Sequence, residues 1–313
     1  MEKPEILGAE LVDGMLARAA QADVPVPWWS FTKTVLAAAA LALVRDGKLA
    51  LDAPAAGRSF TLRQLLQHTA GVRNYGGLES YHAAVARGDG PWSADELLRR
   101  VPPADLLFPP GEGWAYSNVG YLLVRQSIED AAGDTLGAAL QRLVLAPLGI
   151  EDARIAYVPA DLDGVAWGNV RRYHPGWVFH GLLVGPPTAA VEFLDRLLTG
   201  DLLPSALKAA MLIPRAIGGP FPGRPFRAPS YGLGVIIDTE GPRGRCVGHT
   251  GQGPGSTSAV YHFPDLVPRR TAAVFAPVDG DAAQGLLESR ILELASATAR
   301  VAERRARPPA SPG

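Results

Sequence analysis

Ser30-Phe31-Thr32-Lys33-Thr34 runs directly into Val35-Leu36-Ala37-Ala38-Ala39-Ala40-Leu41-Ala42-Leu43-Val44, and this stretch decides the fold. The run from Val35 to Val44 is almost all Ala, Leu and Val, so it predicts a helix buried on most sides. Ser30 lies at its N-terminal end, a position serine favours, and Asp46-Gly47 closes it. On a helix, residues i and i+3 share a face, roughly 5–6 Å apart at Cβ, so Lys33 stands beside the Ser30 hydroxyl. Burial disfavours a charged amine, which lets such a lysine act as a base. The amides of a helix N-terminus also favour negative charge developing nearby.

With 13 serines and 4 lysines, a chance pair at this spacing is expected less than once, yet a second copy exists at Ser205-Ala206-Leu207-Lys208. Pro204 precedes it and its helix is short and mixed, so Ser205 reads as a helix cap and Lys208 as solvated. Lys33 differs because its helix offers no obvious route to water and so requires a polar neighbourhood.

Outward from this helix, Leu7 to Ala20 reads as an amphipathic helix with Leu11, Met15, Leu16 and Ala19 on one face. Val24-Pro25-Val26-Pro27 breaks it. From Thr61 to about Thr199 the signals are mainly helical. Thr61 and Gln64 have capping-box spacing. Further helices are predicted over Ala94–Arg100, Gly120–Ala132, Leu136–Leu145 and Ala189–Leu198. Pro214 to Pro229, rich in Pro, Gly and Arg, is a long loop. Four β-like runs follow, Tyr231–Asp238, Arg245–Thr250, Ser256–Phe263 and Arg270–Pro277, then a closing helix from Asp281 to Glu303. The expected organisation is one domain over 1–304, helical from about 50 to 213, with a sheet region from 1–49 and 228–304. A disordered tail is expected over 305–313.

Two further motifs carry candidate chemistry. Tyr116-Ser117-Asn118 follows Pro109-Pro110-Gly111-Glu112-Gly113-Trp114 and precedes a helix. A tyrosine can exchange a proton, and an asparagine amide can hold a lysine and a substrate carbonyl. A helix-start cap with a packing tyrosine would read the same way. Gly248-His249-Thr250-Gly251 ends a strand, where main-chain amides can face a bound group. An ordinary strand exit is the plainer alternative.

Taken together and in this order, Ser30–Lys33, Tyr116–Asn118 and His249–Gly251 resemble the serine β-lactamase and penicillin-binding-protein superfamily. The Tyr-x-Asn form resembles its class C β-lactamase, D-alanyl-D-alanine carboxypeptidase and esterase branch. So do Thr61-Leu62-Arg63-Gln64-Leu65-Leu66-Gln67-His68-Thr69-Ala70-Gly71 and Ala146-Pro147-Leu148-Gly149. The resemblance runs from about Trp28 to Phe275. It implies an α/β fold of the α+β kind, a helical region plus an antiparallel sheet flanked by N- and C-terminal helices. It also implies Ser30 as nucleophile, Lys33 and Tyr116 sharing its proton, and Asn118 orienting Lys33 and the substrate. His249 and Thr250 would line the strand side, followed by Gly251, with the amides of Ser30 and Gln252 as the oxyanion hole.

The sequence departs from the family in two places. His249 replaces the commoner lysine, which weakens a dedicated β-lactamase reading. If its imidazole contributed charge to carboxylate binding, KM for an anionic substrate would rise as pH passes ~6–7. The usual strand pair ahead of the nucleophile helix is also expected to be absent, because the residues before Ser30 read as one helix. That absence would leave an unpaired sheet edge near Arg270–Pro277 or its neighbour, open to homodimer formation or to cover by an N-terminal segment.

Other features bound the function. Net charge is −1, so no global field recruits nucleic acid or an anionic membrane. One cysteine, Cys246, excludes an intrachain disulfide framework. The N-terminus does not resemble a secretory signal, and a cytoplasmic, membrane-free protein is expected. No metal or cofactor is expected. There is no G-x-S-x-G elbow and no H-E-x-x-H. His174 and His180 bracket Pro175-Gly176-Trp177, and His180-Gly181 falls where members of the resembled family carry loop residues near the site; a structural role is the plainer reading and a catalytic one the alternative. The expected activity is hydrolysis of a small-molecule acyl substrate, an ester or amide. A class C-like β-lactamase or D-alanyl carboxypeptidase is the alternative, and a silent binding protein of this fold is the alternative of another class.

Overall fold

Asp13-Gly14 turns the chain back on itself. Both residues have positive φ, 48° and 82°, the geometry of a two-residue type I′ hairpin turn, for which Asp-Gly is a favoured pair. The segment expected to be an amphipathic helix is therefore two antiparallel strands, β1 (Leu7–Val12) and β2 (Met15–Ala20), with Val12 opposite Met15. Leu7, Ala9 and Leu11 alternate into the core, as period-2 packing requires. Every residue of β2 is exposed, so Met15 and Leu16 are not core positions. The strand pair expected to be absent is present, and the sheet is not short.

The computed structural model describes residues 6–54, 57–167, 172–280 and 282–305. The expected tail from 306 onward lies outside the described residues. A small sheet of order β3-β5-β4 joins β3 (Val26–Pro27), β4 (Arg154–Ala156) and β5 (Leu182–Gly185). The main sheet adds β6 (Arg215–Ala216), β7 (Pro229–Tyr231), β8 (Ile236–Asp238), β9 (Cys246–Gly253), β10 (Ser256–Phe263) and β11 (Arg270–Ala276). Its order is β2-β1-β11-β10-β9-β8-β7-β6, and the described pairings are antiparallel. β1 pairs with β11 from Leu7↔Phe275 to Val12↔Arg270. The edge expected to be open at Arg270–Pro277 is thus covered, and β2 is the edge strand on that side.

The expected buried helix is α1 (Thr32–Arg45), whose residues from Thr32 to Leu43 are all buried. Around it lie α2 (Leu62–Leu66), α3 (Glu79–Arg87), α4 (Ala94–Arg100), α5 (Asn118–Ala132) and α6 (Leu136–Leu140). The capping box of α2 is realised in both directions: the Gln64 amide donates to Thr61 Oγ1 at 3.2 Å, and the Thr61 amide donates to Gln64 Oε1 at 2.9 Å. α6 continues into a π-helical turn over Gln141–Leu145, which accounts for the longer helix expected there. α3 had no sequence signature, because it lacks a side-chain N-cap and buries only Ala84.

After β5 come α7 (Pro187–Thr199) and α8 (Ser205–Met211). α7 packs on β1, β10 and β11, and the closing helix α9 (Ala283–Arg305) packs on β9, β10 and β11. Helices thus cover the strands that flank the site, within a mixed helical and antiparallel-sheet fold. Among the described residues no helix is long and apolar enough to cross a membrane.

Candidate active site

Ser30 lies in a 3-10 turn, Trp29–Phe31, immediately ahead of α1. Trp29 has φ of +47°, a conformation that costs a residue with a Cβ roughly 1–3 kcal/mol and persists only where surroundings impose it. Those surroundings are specific. The Trp29 indole donates to Ser256 Oγ at 2.8 Å, and the Trp28 amide donates to the Leu183 carbonyl at 2.9 Å. β9 lies against the turn because it carries glycine there. A Cβ on Gly251 would stand 2.7 Å from the Trp28 oxygen and 2.8 Å from the Ser30 nitrogen. One on Gly253 would strike the Trp29 ring at 2.4 Å.

The helical spacing of Ser30 and Lys33 becomes a contact. Lys33 Nζ lies 3.1 Å from Ser30 Oγ and 3.2 Å from His180 Nε2. The Tyr116 and Tyr121 rings face it at 5.0 and 5.5 Å. Lys33 is fully buried, and among the described residues no carboxylate pairs with it. Burial holds its pKa well below the usual lysine range, so the neutral amine is accessible. Tyr116 donates to Ser30 Oγ at 2.8 Å, and burial raises its pKa. The phenol therefore stays protonated, a donor, while the lysine is disposed to accept.

Asn118 lines the same cleft, but its side chain makes no hydrogen bond to Lys33. The place beside the amine is taken by His180, which the sequence reading assigned a structural role. It precedes β5, 147 residues from Lys33, and no spacing rule points to it. His174 does have a local role: its ring accepts from the Gly176 amide at 3.0 Å and caps the Pro175–Trp177 turn. His68, also unforeseen, packs on Tyr116 with ring centroids 4.4 Å apart, and accepts from the Ser117 amide at 3.1 Å.

The strand motif is turned inward. His249 Nδ1 is 2.8 Å from the Thr250 carbonyl oxygen, and Nε2 is 2.8 Å from the Tyr231 hydroxyl. A carbonyl only accepts, so Nδ1 carries the proton and Nε2 accepts from the phenol. Burial first, then the positive charge of Lys33, pushes the His249 pKa down to about 3. The charge once allowed for this ring is absent at neutral pH, which removes the expected rise in anionic KM around pH 6–7. The Thr250 hydroxyl donates to Glu288 and lies 2.8 Å from the Tyr261 hydroxyl. The Gln252 side chain is also held: it donates to Gly280 O and accepts from Gln284, each at 3.2 Å.

A cleft of about 400 Å³ opens on Ser30, walled by Trp114, Phe221, Phe226, Tyr231 and Ile236. A smaller one of about 160 Å³ adjoins it on the side of Tyr75, Tyr81, Tyr173 and His180.

Four histidines are buried, His68, His180, His249 and His262, and burial lowers the pKa of each, to about 4 for His262. Between the unfolded value near 6.5 and the lower folded value, only the unfolded chain binds the proton. Stability is then fully present above pH ~6.5 and is lost as pH falls, by about 1.4 kcal/mol per pH unit for each histidine in its window. Melting temperature should fall steadily from pH ~6.5 toward pH ~4; a flat profile would contradict the buried neutral assignment.

A serine just ahead of a buried helix, beside an antiparallel sheet and in contact with Lys and Tyr, stands in a fold whose family the comparisons show. The beta-lactamase family model matches residues 8–296, and the chain belongs to that family. It is 35% identical to Esterase EstB of Burkholderia gladioli over 162 residues, covering 45% of this chain and 41% of the esterase. It is 25% identical to Penicillin-binding protein 4* of Bacillus subtilis (strain 168) over 232 residues, covering 66% of this chain and 49% of that protein. The matched regions thus span under half the length of these two relatives. In fold it is similar to D-amino acid amidase from Ochrobactrum anthropi SV3, with a TM-score of 0.76 at 23% identity, over 92% of this chain and 95% of that one.

Proposed function

We propose that the protein is a serine hydrolase of small esters or amides that works through an acyl-enzyme on Ser30. The observation that carries this reading is a single hydroxyl within hydrogen-bonding distance of both a buried amine, at 3.1 Å, and a protonated phenol, at 2.8 Å. The same 3.1 Å separation lets the Ser30 hydroxyl donate to a neutral Lys33 amine. As Oγ bonds to the acyl carbon, its proton passes to Lys33. The developing oxyanion is met by the amides of Ser30 and Gln252, on the two segments that Gly251 allows to approach. Tyr116 protonates the leaving oxygen or nitrogen as its bond to the acyl carbon breaks, and the Lys33 ammonium restores the phenol. Water then repeats the sequence and releases the acid. Asn118, on the wall of the cleft, contacts the substrate in this scheme.

Resemblance to an esterase, a penicillin-binding protein and an amidase supports acyl transfer as the reaction class. Intact-mass detection of a fluorophosphonate adduct tests it, alongside turnover of p-nitrophenyl esters, D-amino-acid amides and nitrocefin. No adduct and no turnover would leave the fold as that of a silent binding protein. Efficient nitrocefin hydrolysis without esterase activity would favour a β-lactamase.

A neutral His249 makes a further outcome specific. KM for an anionic ester, relative to a neutral one, should stay flat from pH ~5 to ~8. An inflection near pH 6–7 would show the imidazole titrating against substrate. Pairing of two chains through the edge of β2 is the homodimer that belongs to this reading, and a monomeric mass in light scattering would exclude it.

A further inference from the structure

Arg224 comes from the long Pro-, Gly- and Arg-rich loop and lines the cleft that opens on Ser30. Among the described residues lining that cleft, it alone carries a fixed charge; the others are apolar, aromatic, hydroxyl, amide or neutral imidazole groups. That charge is already matched. Nε and Nη2 donate to the two oxygens of Glu288, a bidentate pair, and Nη1 donates to Gln284 Oε1 at 2.7 Å. Gln284 and Glu288 are four residues apart on α9 and so present one face to the arginine. Glu288 is completely buried and also receives the Thr250 hydroxyl.

Bidentate Arg–carboxylate geometry is strong and directional, and the carboxylate it holds offsets the guanidinium's charge. Three of the five guanidinium N–H groups are taken; a substrate carboxylate on the remaining two would still meet the paired Glu288 carboxylate, and one that displaced Glu288 would strand a buried negative charge, which is strongly unfavourable. A carboxylate that did not recruit it would be desolvated against aromatic walls. The two strand side chains that face the cleft offer no substitute. His249 is neutral with both nitrogens engaged, and Thr250 gives its proton to Glu288.

We propose that the Arg224–Glu288 pair is the specificity-determining element of this cleft: by withholding its one fixed cation, it makes the site take uncharged, apolar esters and amides and discriminate against acyl groups that bear a carboxylate. The inference rests on Ser30 being the nucleophile. It assigns Glu288, which does not line the cleft, a positioning role exerted through Arg224.

The test compares p-nitrophenyl hexanoate with mono-p-nitrophenyl adipate, acyl chains of equal length that differ in a terminal carboxylate, with Ser30→Ala as the background. Wild-type protein should favour hexanoate in kcat/KM by at least ~10-fold. Glu288→Gln unmasks the guanidinium and should move that ratio toward adipate by ~10-fold or more, through KM for adipate rather than kcat. The double variant Arg224→Gln/Glu288→Gln, again uncharged, should return the ratio to the wild-type side. A merely structural pair would change both substrates alike and leave the ratio fixed in all three proteins, which overturns the proposal. So does wild-type turnover without discrimination, or a double variant that selectively loses adipate, since Arg224 would then already be the carboxylate receptor. If Glu288→Gln does not fold, Glu288→Met, which fills the same buried space without a carboxylate, should show the same shift toward adipate, and an unchanged ratio in it overturns the proposal. If neither ester is turned over and a fluorophosphonate leaves Ser30 unlabelled, the hydrolase reading fails and takes this inference with it.

Discussion

Ser30→Ala should abolish covalent labelling by a fluorophosphonate, while Ser205→Ala labels like the parent. Both serines open an S-x-x-K segment, and local sequence hardly separates them. Their environments do. Ser30 Oγ sits against a fully buried amine and a tyrosine hydroxyl, at the mouth of a cleft. Ser205 is exposed at the start of α8, and Lys208 turns away to donate to the Gly200 carbonyl at 2.6 Å. A serine hydroxyl without an adjacent base is a weak nucleophile, so the expected contrast is nearly all or none. Intact-mass spectra of the two variants, treated under conditions that label the parent fully, provide the comparison. If both label like the parent, the nucleophile lies elsewhere.

Lys33→Ala and Tyr116→Phe should each lower kcat/KM by at least the ~10²-fold typical of a positioned acid–base group. Burial moves the two pKa values in opposite directions. It disfavours the ammonium and the phenolate alike, which leaves a neutral amine to accept the Ser30 proton and a neutral phenol to donate one. Because both act on one oxygen in one proton path, the double variant should lose far less than the product of the single losses. Multiplicative losses would mean that the two work independently. Tyr116→Phe keeps the ring that faces Lys33 and His68, so its effect isolates the hydroxyl. Lys33→Ala empties a fully buried site, and a thermal melt is needed to separate lost chemistry from lost packing.

The N-terminal hairpin shows how a legible signal was outweighed. Leu11, Met15, Leu16 and Ala19 suit one face of a helix, yet Asp13-Gly14 is also a hairpin turn pair, and Leu7, Ala9 and Leu11 alternate. The competition is settled by β11, whose backbone from Arg270 to Phe275 needs partners and finds them in β1. No local pattern within residues 7–20 contains that information. Likewise, β2 is exposed throughout, so its apolar residues mimic a buried face they do not form.

Periodicity and spacing alone determined the buried helix α1, the Ser30–Lys33 adjacency, the capping box of α2, and the succession of β-like runs that becomes much of the C-terminal sheet. These are short-range properties, in which the 3.6- and 2-residue repeats place side chains before any tertiary contact forms. The motif order Ser30–Lys33, Tyr116–Asn118 and His249–Gly251 added the family resemblance. Tertiary structure decided what the polar groups do. It set His180 beside Lys33, engaged His249 and Thr250 on the cleft wall with Tyr231 and Glu288, and locked Arg224 onto Glu288 across 64 residues. The physical reason is desolvation. Protonation state, hydrogen-bond partner and available charge depend on which distant segments exclude water from a group, and sequence separation carries no record of that enclosure.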